Sequence, residues 1–206
     1  MHDADGLTRV PLGAAHHVRV GQLPPRLVPD ADGFEALWAL HPPGRQTIHV
    51  HGRAVKLPRW QQAYGMDYRF SGQTSRALPV PALLDPYLDW VRGLDPRHNS
   101  LLLNWYDAAE RHYIGKHRDS DIDRVRDSDI VTVSLGEARV MRMRPYRQPG
   151  HVDLPVPDGA VVVIPWHTNR AWTHEVPHFA RYHGRRISIT MRAFEGRLDT
   201  AAVAGR

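Results

Sequence analysis

The sequence predicts a mainly β protein, a sandwich or jelly roll with N-terminal α-helices packed on one of its sheets. Two observations support this fold class: short apolar strands follow one another from Leu101 onward, and two amphipathic helical segments precede them. A length of 206 residues is enough for one domain with a substantial core. We expect that domain at residues 26–196, between a flexible N-terminal arm at 1–25 and a frayed C-terminal tail at 197–206.

The helical segments lie in the first half of the chain. In DGFEALWAL, the apolar side chains of Phe34, Leu37 and Trp38 lie near one helical face, which predicts a short helix. VPALLDPYLDWVRGL has the same spacing, and its Pro86 comes early enough to fit the first helical turn. Between these helices, RQTIHVHG predicts a strand that ends at Gly52.

Eight short strands are predicted in the second half of the chain, separated by turns rich in Gly, Pro and Asp. In order, their sequences are LLLNWY, YIGKH, DIVTVSLG, ARVMRMR, HVDLPV, GAVVVIP, AWTHEV and RRISITMRAF. Strands of this length and rhythm are typical of sandwiches and jelly rolls.

Composition excludes several classes of protein. No apolar run approaches the roughly 18 residues needed to cross a membrane, and MHDADGLTRV has no signal-peptide core. We therefore expect a cytoplasmic protein without a membrane partner. We also expect a monomer. With no cysteine, any metal must be bound by His, Asp or Glu. The net charge of +5 permits a nucleic-acid partner, but with only two lysines the excess is nearly all arginine and also fits codon bias.

A candidate metal site is formed by His117 and Asp119 in YIGKHRDSD and by His174 in AWTHEV. Residues two apart on a strand point the same way, so His117 and Asp119 project together. Two histidines and one carboxylate are the ligand set that leaves one face of Fe(II) open. An isolated His-x-Asp pair is more often a surface turn, and three other histidines compete with His174 as the distal ligand: His167, His178 and His183.

A row of polar side chains is expected on one face of the last strand. The same alternation groups Arg186, Ser188, Thr190 and Arg192, and leaves Ile187, Ile189 and Met191 for the apolar layer. Such a row facing the interior is costly unless it binds something charged, and two arginines are suited to a dicarboxylate. Asn104 and Tyr106 form a further pair that can hydrogen-bond a carboxylate. Taken alone, the arginines also fit an edge strand that promotes solubility.

The order and spacing of these motifs resemble the AlkB family of iron- and 2-oxoglutarate-dependent dioxygenases, which demethylate nucleobases. The similarity runs from about Arg45 to Phe194 and includes LPRWQQAYGMDYRFSG, LLLNWY, YIGKHRDSD, DIVTVSLG, AWTHEV and RRISITMR. It implies a double-stranded β-helix that binds Fe(II), 2-oxoglutarate and O2 and releases succinate, CO2 and formaldehyde. The implied iron ligands are His117, Asp119 and His174, and the implied 2-oxoglutarate ligands are Asn104, Tyr106, Arg186 on the distal carboxylate and Arg192 near the carboxylate beside the keto group.

The resemblance also implies residues for a flipped nucleobase. It places Tyr64 and Tyr68 over the substrate pocket, whereas we expect Trp60 and Phe70 to be core residues. Asp121 is a candidate acceptor for an exocyclic amine or a solvated turn acid. Arg147 is, with Arg139, Arg142 and Arg144, a candidate phosphate contact or part of a solvated strand face.

His51 lies in a segment that resembles the family's substrate lid, where members that act on duplexes carry a larger aromatic wedge. We therefore expect single-stranded DNA or RNA to be a substrate at least as readily as duplex. Two alternatives stay open: the same chemistry on a protein, lipid or small molecule, and a non-catalytic jelly-roll binding module.

Overall fold

The computed structural model of this protein describes residues 6–50, 52–70 and 72–196. In that part of the chain the first strands and helices are β1 (Thr8–Pro11), β2 (His17–Gln22), α1 (Ala31–Trp38), β3 (Thr47–Val50), β4 (Arg53–Lys56), β5 (Trp60–Tyr64), β6 (Tyr68–Phe70), β7 (Gln73–Ser75), β8 (Ala77–Leu78) and α2 (Asp85–Leu94). They are followed by β9 (Ser100–Asp107), β10 (Ile114–His117), β11 (Ile130–Gly136), β12 (Arg139–Pro145), β13 (Val152–Val156), β14 (Ala160–Ile164), α3 (Trp166–Ala171), β15 (Trp172–Val176) and β16 (Arg185–Arg192). Short 3-10 turns at Pro25–Leu27 and Ala82–Leu84 precede α1 and α2.

Two sheets form the body of the fold. The major sheet has the order β1-β2-β14-β11-β16-β9-β5-β8, and the minor sheet has the order β10-β15-β12-β13. Apolar side chains from both sheets share one core cluster, in which Ile130 and Ile164 of the major sheet meet Met143 and Leu154 of the minor sheet. The jelly-roll prediction is confirmed, and each of the eight predicted strands of the second half is present.

The N-terminal helices cover the outer face of the major sheet, as predicted. Leu37 of α1 and Val91 of α2 belong to the same buried cluster as Leu103 of β9 and Ile189 of β16. The indole Nε1 of Trp105 donates a 3.0 Å hydrogen bond to the carbonyl of Leu37 and so ties α1 to the sheet. With this face covered by helices, the opposite face of β9, β11 and β16 is left for the site.

The loose arm predicted for residues 1–25 is not what the structure shows for Thr8–Gln22. β1 and β2 form a hairpin, and β2 pairs with β14 at the edge of the major sheet. Val18 and Leu12 are almost completely buried between the sheets. Pro11, Gly13 and the two histidines that follow interrupt the alternation, which is why the sequence pattern missed this hairpin. Residues 1–5 and the predicted tail at 197–206 lie outside the described residues.

Several further elements had no counterpart in the sequence prediction. The strands β4 to β8 and the six-residue helix α3 are too short for a pattern to establish. The β3–β4 and β6–β7 hairpins stand apart from the two main sheets as separate two-stranded ribbons. In the residues described, no helix has both the length and the apolar character to span a membrane.

Candidate active site

Three metal-binding side chains meet where β10 and β15 pair. His117 and His174 are direct partners in the antiparallel register, and Asp119 follows two residues beyond the end of β10. Ligand atoms of all three lie within 4.8 Å of one another, the one such His and carboxylate group of three or more in the described chain. The predicted triad is therefore brought together, and the competitors His167, His178 and His183 lie elsewhere.

The orientation of the three side chains identifies the ligand atoms. The Nε2 atoms of His117 and His174 lie 3.7 Å and 3.9 Å from the same oxygen, Oδ1 of Asp119. The Nδ1 of His117 lies 2.9 Å from the carbonyl of Gly115, which makes Nδ1 the protonated nitrogen and leaves the Nε2 lone pair free. Two Nε2 atoms and one carboxylate oxygen thus converge on one point.

Electrostatics keeps the triad in the protonation state that a metal needs. Burial, and then the neighbouring charge of His174, lower the pKa of His117 to about 3. Burial also lowers the pKa of His174. Burial alone would raise the pKa of Asp119, but the charge of Arg192 and those of the two histidines outweigh it, so this pKa is lowered. At neutral pH the site therefore holds two neutral imidazoles and one carboxylate.

The second oxygen of Asp119 is held by Arg192. The Nε and Nη2 atoms of Arg192 donate hydrogen bonds of 2.9 Å and 2.7 Å to Oδ2 of Asp119. The Tyr68 hydroxyl donates a 3.3 Å bond to Oδ1, and its ring lies 4.6 Å from the Arg192 guanidinium. In this structure, Arg192 thus orients a metal ligand. Two of its nitrogens bind Asp119, and the contact with the keto-acid carboxylate that the resemblance implies for Arg192 stays a prediction.

Arg186 lies further along the same strand and is fully buried. Its Nε donates a 2.8 Å hydrogen bond to Oγ of Ser134, while Nη1 and Nη2 find no hydrogen-bond partner in the described chain. The guanidinium carbon lies 5.0 Å from the ring centre of Tyr106. A buried cation with two unsatisfied donors is costly unless an anion binds it, and a carboxylate fits this fork in a bidentate manner. Arg186 is therefore well placed for the distal carboxylate of 2-oxoglutarate.

A third buried arginine faces the same space. Arg59 donates from Nε to Oδ1 of Asn104 at 2.6 Å and from Nη2 to Oε1 of Gln61 at 2.8 Å. The sequence analysis missed Arg59 and Gln61. Gln61 lies on β5 and Arg59 directly precedes it, and both side chains point to the face of the sheet that also carries Asn104. The predicted ligand Asn104 is thus oriented by Arg59.

A cavity of about 960 Å³ between the two sheets contains all these groups. It is lined by His117, Asp119, His174, Asn104, Tyr106, Arg186 and Arg192, which are the seven residues predicted for metal and co-substrate. Ser188 and Thr190 line it as well, while Ile187, Ile189 and Met191 lie in the apolar core on the other face of the sheet. The alternation predicted for β16 is confirmed.

The residues predicted for substrate are placed unevenly. Tyr68 and Asp121 line the cavity. Tyr64 does not, because it belongs to the helix-covered face of β5 and packs in the core with α1 and α2. His51 lies outside the described residues. Arg147 is exposed at a turn, where its guanidinium lies 5.0 Å from the Tyr146 ring, and it does not line the cavity.

The other predicted phosphate contacts are occupied within the protein. Arg139 is buried and pairs with Glu137, Arg142 pairs with Asp153, and Arg144 pairs with Glu175. Of the two expected core aromatics, Trp60 packs against the helix-covered core, but Phe70 lines the cavity and stacks on Tyr68 at 5.4 Å.

The residues present fit a divalent metal and a 2-oxoglutarate anion. The triad supplies two nitrogens and one oxygen on one side, the arrangement that suits Fe(II) with open positions. The orphaned nitrogens of Arg186 supply a fork for a carboxylate within the same cavity.

Comparison with known proteins agrees with this site. The sequence model of the 2OG-Fe(II) oxygenase superfamily matches residues 36–192. The chain therefore belongs to the 2OG-Fe(II) oxygenase superfamily. Within it, the chain is AlkB-like, since its curated relatives are proteins named DNA oxidative demethylase ALKBH2.

The human ALKBH2 relative is 31% identical over 157 residues, which cover 70% of this chain and 60% of that protein. The Arabidopsis thaliana relative is 27% identical over 181 residues, covering 72% and 57%. The chain thus spans about 60% of the length of the relatives that it matches. The solved structure of OsALKBH1 superposes with a TM-score of 0.57 over 91% of this chain and 99% of that one, and at 13% identity it supports the fold alone.

Proposed function

We propose that this chain is an Fe(II)- and 2-oxoglutarate-dependent dioxygenase that removes N-alkyl groups from nucleobases in nucleic acid, with release of formaldehyde, succinate and CO2. The observation that carries the proposal is the shared cavity, which holds a metal triad together with a buried arginine whose Nη1 and Nη2 have no hydrogen-bond partner among the described residues. A pure binding module has no need for both features in one cavity, since an unpaired buried cation costs stability.

The protein's own part in the reaction is to bind and orient the reacting groups. Arg192 and Tyr68 hold the Asp119 carboxylate, and the Gly115 carbonyl fixes the tautomer of His117. Bound iron and 2-oxoglutarate would supply the oxidation of the alkyl carbon. Arg186 would anchor the far end of the keto acid so that its keto end faces the triad.

A nucleobase is the substrate that the inner wall fits best. The stacked pair of Tyr68 and Phe70 presents aromatic surface to the cavity, and Asp121 offers carboxylate oxygens near its opening. A base that is flipped out of a strand needs a flat partner and a polar contact to its edge. The proteins that this chain matches are named as DNA demethylases, which supports the same substrate class.

The charges at the cavity opening also suit a phosphate backbone. Lys116, Arg118 and Arg170 line the opening and are exposed. Arg118 is fixed by a 2.8 Å hydrogen bond from Nη1 to the Arg170 carbonyl and lies 4.1 Å from the Tyr146 ring. Preformed cations of this kind are typical of phosphate contacts.

The acidic stretch 119–129 does not oppose this interpretation, because its carboxylates are neutralised locally. Asp119 is bound by Arg192. The others pair as Asp121 with Arg124, Asp123 with Arg69, Asp127 with Arg126 and Asp129 with Arg19. Arg170 lies 3.9 Å from Asp121 as well, so the cations of the opening without a carboxylate partner among the described residues are Lys116 and Arg118.

An oligonucleotide panel tests the function. Purified protein with Fe(II), ascorbate and 2-oxoglutarate is given 1-methyladenine or 3-methylcytosine in single- and double-stranded DNA and RNA. We expect the removal of a methyl group by mass, one formaldehyde for each group removed, and no activity for Asp119→Ala. Succinate formed only with a protein, lipid or small molecule, and with no methylated oligonucleotide, would overturn the proposal in favour of the alternative substrate class.

The same panel decides the strand form. We infer that single strands are accepted at least as readily as duplex, because the family resemblance puts His51 where members that act on duplexes carry a larger aromatic wedge. Wedge side chains open a duplex by inserting between its base pairs, and a histidine offers less stacking area for that purpose. A faster rate on duplex than on the matched single strand would contradict this inference.

A further inference from the structure

Behind the metal site lies a buried side chain amide that binds the backbone of a metal ligand in both directions. Asn169 of α3 is 1% exposed. Its Oδ1 accepts a 3.1 Å hydrogen bond from the backbone N–H of Asp119, and its Nδ2 donates a 3.0 Å bond to the carbonyl of the same residue. The Nδ2 also lies 3.4 Å from Oδ1 of Asp121. One side chain thus satisfies both main-chain groups of Asp119.

Asp119 needs such a partner because it lies outside the sheet. The pairing of β10 with β15 ends at His117 and His174, so no strand hydrogen bonds hold the backbone two residues later. In place of a neighbouring strand, Asn169 supplies a donor and an acceptor at the spacing of a peptide group. The metal loop, which we define as residues 117–121, is therefore bound by a side chain where the ladder stops.

The position of Asn169 is itself fixed from several directions. Its backbone N–H donates to the Pro165 carbonyl at 3.0 Å, and the preceding Thr168 donates from Oγ1 to the carbonyl of His17 in β2 at 2.8 Å. Asn169 also comes only five residues before His174 in the chain. One short segment therefore carries the metal ligand His174 and also holds the backbone of the metal ligand Asp119. The distance between these two ligands thus depends on this segment.

We propose that Asn169 is a positioning residue that sets the Asp119 carboxylate for metal binding before any metal arrives. The proposal rests on the metal site of the proposed function but not on a nucleic-acid substrate. Groups that orient metal ligands from outside the coordination sphere typically contribute 10–100-fold to metal affinity. We expect a decrease in that range when the Asn169 amide is removed.

The chain contains a matched control for this test. Asn99 makes the same two-way contact with the backbone of Phe194, accepting from its N–H at 2.9 Å and donating to its carbonyl at 2.8 Å. Phe194 is not part of the metal site. Asn99→Ala therefore removes the same two kinds of hydrogen bond from the fold and no hydrogen bond of the metal loop, although the Phe194 ring lies 6.4 Å from that of Tyr68.

The experiment is a titration of the metal-free protein with Mn(II), followed by electron paramagnetic resonance, at a temperature where thermal melts show each variant folded. We expect Asn169→Ala to weaken Mn(II) binding about 10-fold or more and Asn99→Ala to leave it within 2-fold. If Asn169→Ala does not fold, Asn169→Ser, which keeps a small polar group in the site, serves with the same expectation.

Two results would overturn the proposal: Mn(II) affinity of the folded Asn169 variant within 2-fold of the parent, or an equal decrease in Asn99→Ala. Because Mn(II) binding needs no oligonucleotide, a protein that fails to demethylate any base can still pass this test. Conversely, an active demethylase whose Asn169 variants bind Mn(II) normally would refute the positioning role alone.

Discussion

At the scale of single residues, the co-substrate site can be tested at Arg186. Arg186→Gln removes the charge and the fork while keeping a polar side chain beside Ser134. We expect the KM for 2-oxoglutarate to rise roughly 100-fold, because the substitution abolishes a charge-assisted bidentate interaction in a buried site. Succinate formation over a range of 2-oxoglutarate concentrations measures this.

The control for Arg186 is Mn(II) affinity without 2-oxoglutarate, which we expect to be unchanged, since Arg186 bonds Ser134 and not a triad residue. Arg186→Lys is expected to recover only part of the affinity, because an ammonium cannot form the planar fork. An unchanged KM in Arg186→Gln would show that the distal carboxylate binds elsewhere.

Because of the buried side chain of His112, we expect the free energy of unfolding to depend on pH. It is fully buried, its Nδ1 accepts a 3.1 Å hydrogen bond from the Asp107 N–H, and its Nε2 faces Glu110 at 3.2 Å. Burial lowers the pKa of His112, and a proton on Nδ1 would oppose the Asp107 N–H. The unfolded chain therefore takes up this proton first as pH falls, so the stability that the neutral ring contributes is present above pH 6.5 and is lost below it.

Urea denaturation of the metal-free protein at about pH 7.5 and about pH 5 measures this effect. We expect His112→Asn, which keeps an acceptor near Asp107, to lose less stability on acidification than the parent, by up to about 1.4 kcal/mol per pH unit for one proton. Other buried histidines titrate in both proteins and cancel in the difference. A parallel pH profile for parent and variant would show that His112 keeps an ordinary pKa.

At the scale of elements, the N-terminal hairpin is the clearest departure from the sequence prediction. Leu12, the residue directly after β1, is 1% exposed and packs between the two sheets. If β1 and β2 are an integral part of the fold, Leu12→Ala should lower the free energy of unfolding by about 2–5 kcal/mol. Val55→Ala on the exposed β4, where the side chain is 43% accessible, should change it by less than about 0.5 kcal/mol.

Denaturant titration of both variants distinguishes the hairpin that the structure shows at residues 8–22 from the loose arm that the sequence predicted. A loose arm would make Leu12→Ala as silent as Val55→Ala. The structure also ties β2 to α3 through Thr168, so the hairpin stabilises the segment that holds the metal loop.

The elements that sequence could establish are those with a clear period. In β16, alternation separates Arg186 and Arg192 from Ile187 and Ile189, and the structure follows it residue by residue. The placement of Tyr64 over the substrate pocket came from the resemblance and not from this rule. On β5, Gln61 faces the cavity and Tyr64 faces the helices. No periodic pattern in the sequence identifies Asn169, because its proposed role depends on hydrogen bonds with Asp119, 50 residues earlier in the chain.

Some missed residues did carry a signal. Thr132 and Ser134 interrupt the apolar strand β11 at alternate positions, which marks the face that turns toward the cavity and the Arg186 guanidinium. In contrast, the arginines of β12 form one basic stretch in the sequence, but in the structure they have different partners. Arg142 and Arg144 have carboxylate partners on neighbouring strands, which only the register determines.

At the scale of the whole molecule, the distribution of charge predicts how nucleic-acid binding responds to salt. Lys116 and Arg118 at the cavity opening are exposed, and in the described part of the chain neither forms an ion pair with a carboxylate. For the double variant Lys116→Gln, Arg118→Gln we expect the slope of log affinity against log salt on a single-stranded oligonucleotide to fall by about 1.4, that is, by roughly 0.7 for each phosphate that is no longer neutralised.

Fluorescence anisotropy over a salt series measures this slope. Arg142→Gln is the control: it removes one positive charge, half the change of the double variant, from a residue bonded to Asp153 at 2.6 Å. We expect its slope to match the parent. A fall of about 0.7 for Arg142→Gln, half that of the double variant, would mean that net charge alone, and not the cavity opening, governs binding.

The depth of Arg186 has a kinetic consequence. Its guanidinium lies fully enclosed, while Lys116 and Arg118 stand exposed at the entrance of the same chamber. In the proposed binding mode, a base stacked on Tyr68 and Phe70 occupies the cavity through which the keto acid reaches Arg186. We therefore expect the small keto acid to enter first, and a strand that arrives too early to obstruct it. Turnover should follow a compulsory sequence of arrivals, with excess methylated strand slowing the enzyme when 2-oxoglutarate is scarce.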